Sequence, residues 1–294
     1  MDATAASAPT LADVVAALEG LYPPSTAEGW DAVGLVAGDP AAPVRKVLLA
    51  VDPVADVVEE AIDWGADLLV THHPLFLRPV HSVAATTFKG EVVHRLLRAG
   101  CGLYVAHTNA DAAPRGVADA LADLVGITDR RPLVARDDAD GVERGIGRVG
   151  RLAGPSTLGA FAERVAAALP ATAQGVRVAG DLDAPVSTAA VVGGSGDSLF
   201  DAVRAAAVDV YVTADLRHHP ASELRERAAF EARSAGAPGA TPYLVDVAHF
   251  ASEWPWLRYA AEDLVAGLPE GTVTTRVSTH GTDPWTARLP STPR

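Results

Sequence analysis

The chain has 294 residues, 49% of them hydrophobic and 21% charged, enough apolar material for one large or two ordinary domains and too much for a disordered or fibrous chain. Acidic side chains outnumber basic ones 37 to 24, a formal net charge of −13, and no run of Lys or Arg supplies the basic stripe that offsets nucleic-acid phosphates. The single cysteine, Cys101, excludes an intrachain disulfide and a thiolate-rich zinc site, so any metal must be held by His, Asp and Glu.

Thr10 stands as an N-cap before Leu11, Val14, Val15 and Leu18, whose spacing predicts a packing helix over 11–22. Residues 29–34 read as a loop. The apolar run 44–51 predicts a buried strand, Val54, Val57, Val58, Ala61 and Ile62 a helix, and 67–71 a second strand. Together they make a βαβ unit with parallel pairing. A helix over 91–98 stopped by Gly100, a third strand over 102–106 and a helix over 117–125 follow. The charged segment 129–143 lacks periodicity and reads as a linker. Beyond it come a strand over 144–152, a helix capped by Ser156 with Leu158, Phe161 and Val165 on one face, and strands over 176–179 and 188–193. A Gly-rich turn, a helix over 199–206 and a strand over 209–213 complete a second α/β unit. The strand 243–247 leads into 248–253, a helix to about residue 266, a strand over 273–278 and a proline-bearing tail. No stretch approaches the roughly 18 uncharged apolar residues that span a bilayer, and residues 1–9 carry Asp2 and no basic residue. The expectation is a cytoplasmic protein with a small-molecule substrate and neither a membrane nor a nucleic-acid partner.

Four of the nine histidines, His72, His73, His107 and His249, stand at or just after the ends of three predicted strands. Sites form at the carboxyl ends of strands in open parallel sheets, so the clusters after the second and third strands are expected to lie close together. His107 and Asp111 are four apart, as are His249 and Glu253, a spacing that sets both side chains of each pair on one helical face. Either pair alone also fits a surface contact. Adjacent His72 and His73 diverge in extended chain, which suggests two ions spanned by a carboxylate of Asp111 or Glu253. Gly193–Ser198 lies where backbone N–H groups can cradle a phosphate, but it lacks the P-loop lysine and reads as a tight turn. His218 and His219 are candidates for a general base, and a surface place at a helix start accounts for them equally well.

The stretches Trp30-Asp31-x-Val33-Gly34-Leu35, Ala66-Asp67-Leu68-Leu69-x-Thr71-His72-His73-Pro74-Leu75, His107-Thr108-Asn109-x-Asp111 and Asp246-x-x-His249-Phe250-x-Ser252-Glu253 resemble the NIF-three-like dinuclear metal centre proteins, often called type-two GTP cyclohydrolase I homologues. The runs 145–150, 193–196 and 209–215 are similar too. The resemblance implies two α/β domains, a homohexamer built as a trimer of dimers, and a cleft holding two divalent metal ions at the carboxyl ends of strands. It implies His72, His73, Asp111, His249 and Glu253 as metal ligands, with His107 a further candidate at the site. The expected division is a discontinuous metal-binding α/β domain of residues 11–130 plus 240–280, a second α/β domain of 131–239, and flexible ends at 1–10 and 281–294. Ala32, Ala214 and Ala248 depart from the family pattern without removing a proposed ligand.

The leading expectation is a dinuclear metal-dependent hydrolase using iron, manganese or zinc. Its substrate would be a small nucleotide-like or phosphorylated compound, and His107, His218 and His219 are the catalytic candidates. The alternative is a non-catalytic metal-binding or regulatory assembly.

Overall fold

Thr10 closes a capping box with Asp13 ahead of α1 (Leu11–Leu21), satisfying two amide groups that a helix start leaves open. Leu11, Val14 and Leu18 of that helix are buried, the face its spacing predicts. The computed structural model describes residues 7–136 and 141–290. It divides into two units, Met1–Ala113 with Leu257–Thr282, and Pro114–Trp256 with Asp283–Arg294.

In the first unit α1 is followed by β1 (Gly34–Ala37), β2 (Lys46–Ala50), α2 (Ala55–Trp64), β3 (Leu68–Thr71), α3 (Phe88–Arg98), β4 (Gly102–Val105) and a one-turn α4 (Thr108–Ala112). The expected βαβ unit is present: β2 pairs parallel with β3, and β3 with β4. Strand β3 and strand β4 are buried at every position, hence their nearly continuous apolar sequence. Val57, Val58 and Ala61 of α2 and Val92, Val93 and Leu96 of α3 pack on Leu48, Leu69 and Leu103 of the sheet. Strand β1, within and beyond the expected loop, pairs antiparallel with β4.

The second unit begins with α5 (Val117–Val125), β5 (Ile127–Arg136), β6 (Arg144–Thr157), α6 (Leu158–Ala168), β7 (Arg177–Ala179) and β8 (Pro185–Ser195). It continues with α7 (Phe200–Ala205), β9 (Val210–Ala214), α8 (His218–Ala235), β10 (Tyr243–Val247) and the one-turn α9 (His249–Glu253). Its six strands run in the order β5-β6-β8-β9-β10-β7, with β8, β9 and β10 mutually parallel. The segment 129–143 is not the expected linker. Where 129–143 is described, it is largely strand β5, antiparallel to β6; residues 137–140 lie outside the described part. Its position at the sheet edge tolerates the charges and Pro132 that hid it. Thr157, not Ser156, caps α6, accepting from the Ala160 amide. The expected Gly-rich turn is in part strand, since β8 runs on through Gly193, Gly194 and Ser195. Of helix α8 only a start at His218 and His219 was weighed, and its extent to Ala235 was not expected. Only Leu224 and Ala228 of its 18 residues are buried, so it carries no apolar stripe to announce it.

The chain then returns to the first unit through α10 (Trp256–Ala266) and β11 (Thr274–Val277), which adds parallel to β2. The first sheet thus reads β1-β4-β3-β2-β11. These boundaries differ from the expected 130 and 240. Strand β10 pairs with β9 and β7, and α5 packs on β8 and β6, which draws residues 114–130 and 240–256 into the second unit. The expected flexible ends fall partly on residues 1–6 and 291–294, outside the described part. No helix among the described residues is long and apolar enough to cross a membrane.

Candidate metal centre

In the first unit the parallel ladder continues past the strand ends and sets the site. The His72 amide donates to Ala50 O at 3.2 Å, the His73 amide to Val51 O at 2.9 Å, and the Ala106 amide to Thr71 O at 3.0 Å. His72 and His73 after β3 therefore stand beside His107 after β4. The three rings lie with centroids 5.0 to 5.5 Å apart, and their ligating nitrogens can all be chosen within 4.8 Å of one another. The expected divergence of His72 from His73 is not seen. The chain bends at these residues, and the Thr71 hydroxyl donates to His73 O at 2.9 Å, so the alternation of extended chain no longer applies. One-turn α4 sets Asp111 Oδ1 at 3.8 Å from His72 Nε2.

Each ring is held through Nδ1. His72 Nδ1 lies 2.9 Å from Ala106 O, His73 Nδ1 2.7 Å from Asp52 Oδ1, and His107 Nδ1 2.8 Å from Asp31 Oδ1. A carbonyl oxygen only accepts, so His72 carries its proton on Nδ1 and presents the Nε2 lone pair when neutral. The carboxylates impose the same tautomer on the other two, the arrangement that metal-binding histidines use. Asp52 is itself fixed by the Thr282 hydroxyl.

Asp31 is the most firmly held of these anchors. Its side chain is wholly inaccessible, and it accepts from the Thr108 amide at 3.0 Å and the Thr108 hydroxyl as well as facing His107. Burial pushes its carboxyl pKa up, but the bonds from His107 and Thr108 outweigh burial and hold it well below the usual carboxylate range. A depressed pKa in the folded state gives stability that is present above the unfolded value of about 3.9 and lost as pH falls through the folded value. Asp31→Asn is expected to lower unfolding free energy by roughly 2 kcal/mol near neutrality. In urea titrations the gap between the two proteins should hold constant down to about pH 4 and then close. A gap unchanged at lower pH would show that the ionised carboxylate is not its source.

In the second unit, α9 gives His249 and Glu253 their i, i+4 relation: His249 Nε2 lies 2.9 Å from Glu253 Oε1. Asp215 Oδ2 holds His249 Nδ1 at 2.7 Å. Glu253 is buried and His249 partly so. Strand β8 seats the pair. The Gly194 amide donates to Ser252 Oγ at 2.8 Å, the Ser252 hydroxyl to His249 O at 2.7 Å, and the Thr213 hydroxyl to Gly194 O at 2.9 Å. Ala248, where the family pattern has another residue, sits at φ −71, a value any residue adopts. His218 and His219 are exposed at the start of α8 with ring centroids 5.2 Å apart. His218 lines a cavity of about 340 Å³ with Arg177, Arg225 and Asp246.

Sequence reasoning found the histidines but missed Asp31, Asp52 and Asp215. Asp52 had a usable signal, since it stands two residues past the end of β2 just as His73 stands two past the end of β3. The donors present, imidazole Nε2 atoms with Nδ1 already engaged and carboxylates beside them, fit iron, manganese or zinc.

The sequence matches the model of the Duf34/NIF3 (NGG1p interacting factor 3) family over residues 9–284. A Streptomyces coelicolor protein named "GTP cyclohydrolase 1 type 2 homolog" is 52% identical, covering 97% of this chain and 96% of that relative. A Clostridium perfringens protein of the same name is 31% identical, with 94% and 98% covered. Among solved structures, a Bacillus cereus protein related to NIF3 superposes with TM-score 0.81 at 24% identity, covering 96% of this chain and all of that one. A Staphylococcus aureus hypothetical protein gives 0.79 at 27% identity, with the same coverage.

Proposed function

The chain belongs to the Duf34/NIF3 family, and from that premise we propose that it is a dinuclear metal-dependent hydrolase acting on a small nucleotide-like or phosphorylated substrate. His72, His73, Asp111, His249 and Glu253 would hold two divalent cations, iron, manganese or zinc. The observation that carries this reading is the common anchoring of four imidazoles. His72, His73, His107 and His249 each have Nδ1 within 2.9 Å of a carbonyl or carboxylate oxygen, the anchoring that orients metal-binding imidazoles, and Nε2 of His249 faces Glu253 Oε1 at 2.9 Å, so that an ion held there would take both groups as ligands. When bound, such a pair of ions lowers the pKa of coordinated water toward neutrality and offsets charge developing on the attacked group.

The chain's own residues do the rest. Asp31, Asp52, Asp215 and Ala106 O fix the imidazole planes and tautomers, and Ser252 and Gly194 fix α9. His107, held by Asp31 beside His72 and His73, takes or gives a proton; His218 and His219 are the exposed candidates for the same task. The homohexamer, a trimer of dimers, and the cytoplasmic location belong to this same proposal.

The test is turnover by the metal-loaded protein, screened against nucleotides and phosphoesters with iron, manganese and zinc in turn. Glu253→Gln is expected to reduce hydrolysis on the order of 100-fold while some metal stays bound, and His249→Ala serves as the inactive control. No hydrolysis above that control with any of the three metals would instead support a non-catalytic metal-binding or regulatory assembly.

A further inference from the structure

Residues 278–290, after β11, have no regular secondary structure, and within the second unit residues 283–288 build a cavity the metal centre does not account for. Gln174, Arg177, Asp215, Leu216, Trp285 and Arg288 line it, with a volume of about 510 Å³, in the range of small-molecule sites. Three features give it a chemistry. One wall is Asp215, whose Oδ2 holds His249 Nδ1 at 2.7 Å, so the cavity adjoins a proposed metal ligand.

Two guanidiniums face one cavity in a chain whose net charge is −13. Arg177 is braced on buried Asp246, its Nε at 2.7 Å, yet keeps 59% of its side chain accessible. Arg288 has no ion-pair partner among the described residues. The guanidinium fork matches phosphate oxygens and is always charged.

Trp285 is the third feature. It is 66% accessible, an apolar ring left in water on the cavity wall, and the tail that carries it is held by Asp283, which accepts from the Trp285 amide. An indole face beside guanidiniums is the pairing that stacks a heteroaromatic base and grips its phosphate.

We propose that this cavity is the substrate-recognition site, taking a planar heteroaromatic ring that carries phosphate, with the ring stacked on Trp285 and the phosphate held by Arg288. The proposal rests on the hydrolase reading for its link to turnover, while binding itself can be measured without it. The C-terminal segment then determines specificity, and the acidic metal centre is left to act on what the segment delivers.

Calorimetric titration of the full chain, chelator-treated and zinc-reconstituted, with GTP, guanosine and inorganic tripolyphosphate tests it. GTP is expected to bind, and Trp285→Ala and Arg288→Ala are each expected to weaken it about tenfold, with Trp285→Phe retaining most of the affinity. Guanosine should feel only the Trp285 change and tripolyphosphate only the Arg288 change. Both side chains are exposed, so thermal unfolding of the variants should match the parent. Affinities unchanged in both alanine variants would overturn the proposal, as would no binding of any probe up to about 1 mM, the top of the usual KM range. The two readings fail separately. Binding that depends on Trp285 and Arg288 without hydrolysis under any metal removes the hydrolase reading alone. Hydrolysis that persists unaltered in both variants removes the recognition site alone.

Discussion

Gly194→Ala is expected to lower zinc affinity by about 10- to 100-fold, the range seen when a group that orients a ligand is lost. Gly194 sits at φ +69, and a Cβ there would lie 2.6 Å from Glu253 Oε1 and 3.2 Å from His249 Nε2. The carboxylate is the end of a flexible side chain, but Glu253 is only 3% accessible, so it can yield only by leaving its place 2.9 Å from His249. The backbone contributes a separate loss of about 1–2 kcal/mol for a residue with a side chain in the left-handed region. Gly175→Ala separates the two effects, because Gly175 has φ +64 with nothing within 4 Å of its added Cβ. Both variants should lose the backbone contribution in urea after chelation, Gly194→Ala losing more by the cost of displacing Glu253, and only Gly194→Ala should lose metal affinity in competition titrations. Wild-type affinity in Gly194→Ala would mean that the close approach of β8 does not set the His249–Glu253 pair.

That contact also gives the Gly-rich stretch a role its sequence did not declare. Gly194 is small because α9 lies against it and Gly193 because Val117 of α5 does, at 2.5 Å from an added Cβ, and a Cβ on Gly196 would meet Thr213 Oγ1 and Tyr211 Oη at 2.2 Å. These are steric requirements of neighbours far along the chain, and a local reading sees only a turn or a phosphate cradle. What the sequence did reveal is the part governed by period and by strand ends. Strands β3 and β4 are uniformly apolar, and their termini put His72, His73 and His107 together as soon as parallel pairing is assumed. The i, i+4 spacing of His249 and Glu253 needed only one turn of helix. What stayed hidden depends on partners remote in sequence: Asp31 reaches His107 across 76 residues, and Asp215 reaches His249 across 34. Edge strand β5 and the extent of polar helix α8 were hidden for the opposite reason, since solvent exposure freed them from any apolar pattern.

Arg148→Met is expected to destabilise the second unit by roughly 3–5 kcal/mol, the usual consequence of leaving one member of a buried ion pair behind. Arg148 of β6 and Asp119 of α5 are both nearly inaccessible, and they form a bidentate pair at 2.9 and 2.8 Å. The remaining guanidinium nitrogen, Nη1, donates to Gly145 O and Gly147 O at 2.8 Å each. This explains the spacing of the run Gly145-Ile146-Gly147-Arg148. Gly145 and Gly147 have φ +150 and +67, and a Cβ on Gly145 would come within 2.1 Å of Val134 O on β5, so the glycines let β5 close in while their carbonyls turn to Arg148. Arg130 Nε also reaches Asp119 Oδ1 at 2.9 Å, but with 28% of its side chain exposed it is screened by water and offsets only part of the loss. Removing both partners, as in Arg148→Met with Asp119→Leu, should recover part of the stability, because the larger part of the single-variant loss is a buried carboxylate left with only the half-screened Arg130 and the Arg115 amide as partners. Urea midpoints of the parent, the two single variants and the double variant give the coupling directly. Additive losses in that cycle would mean that the pair does not hold α5 on the sheet as a unit.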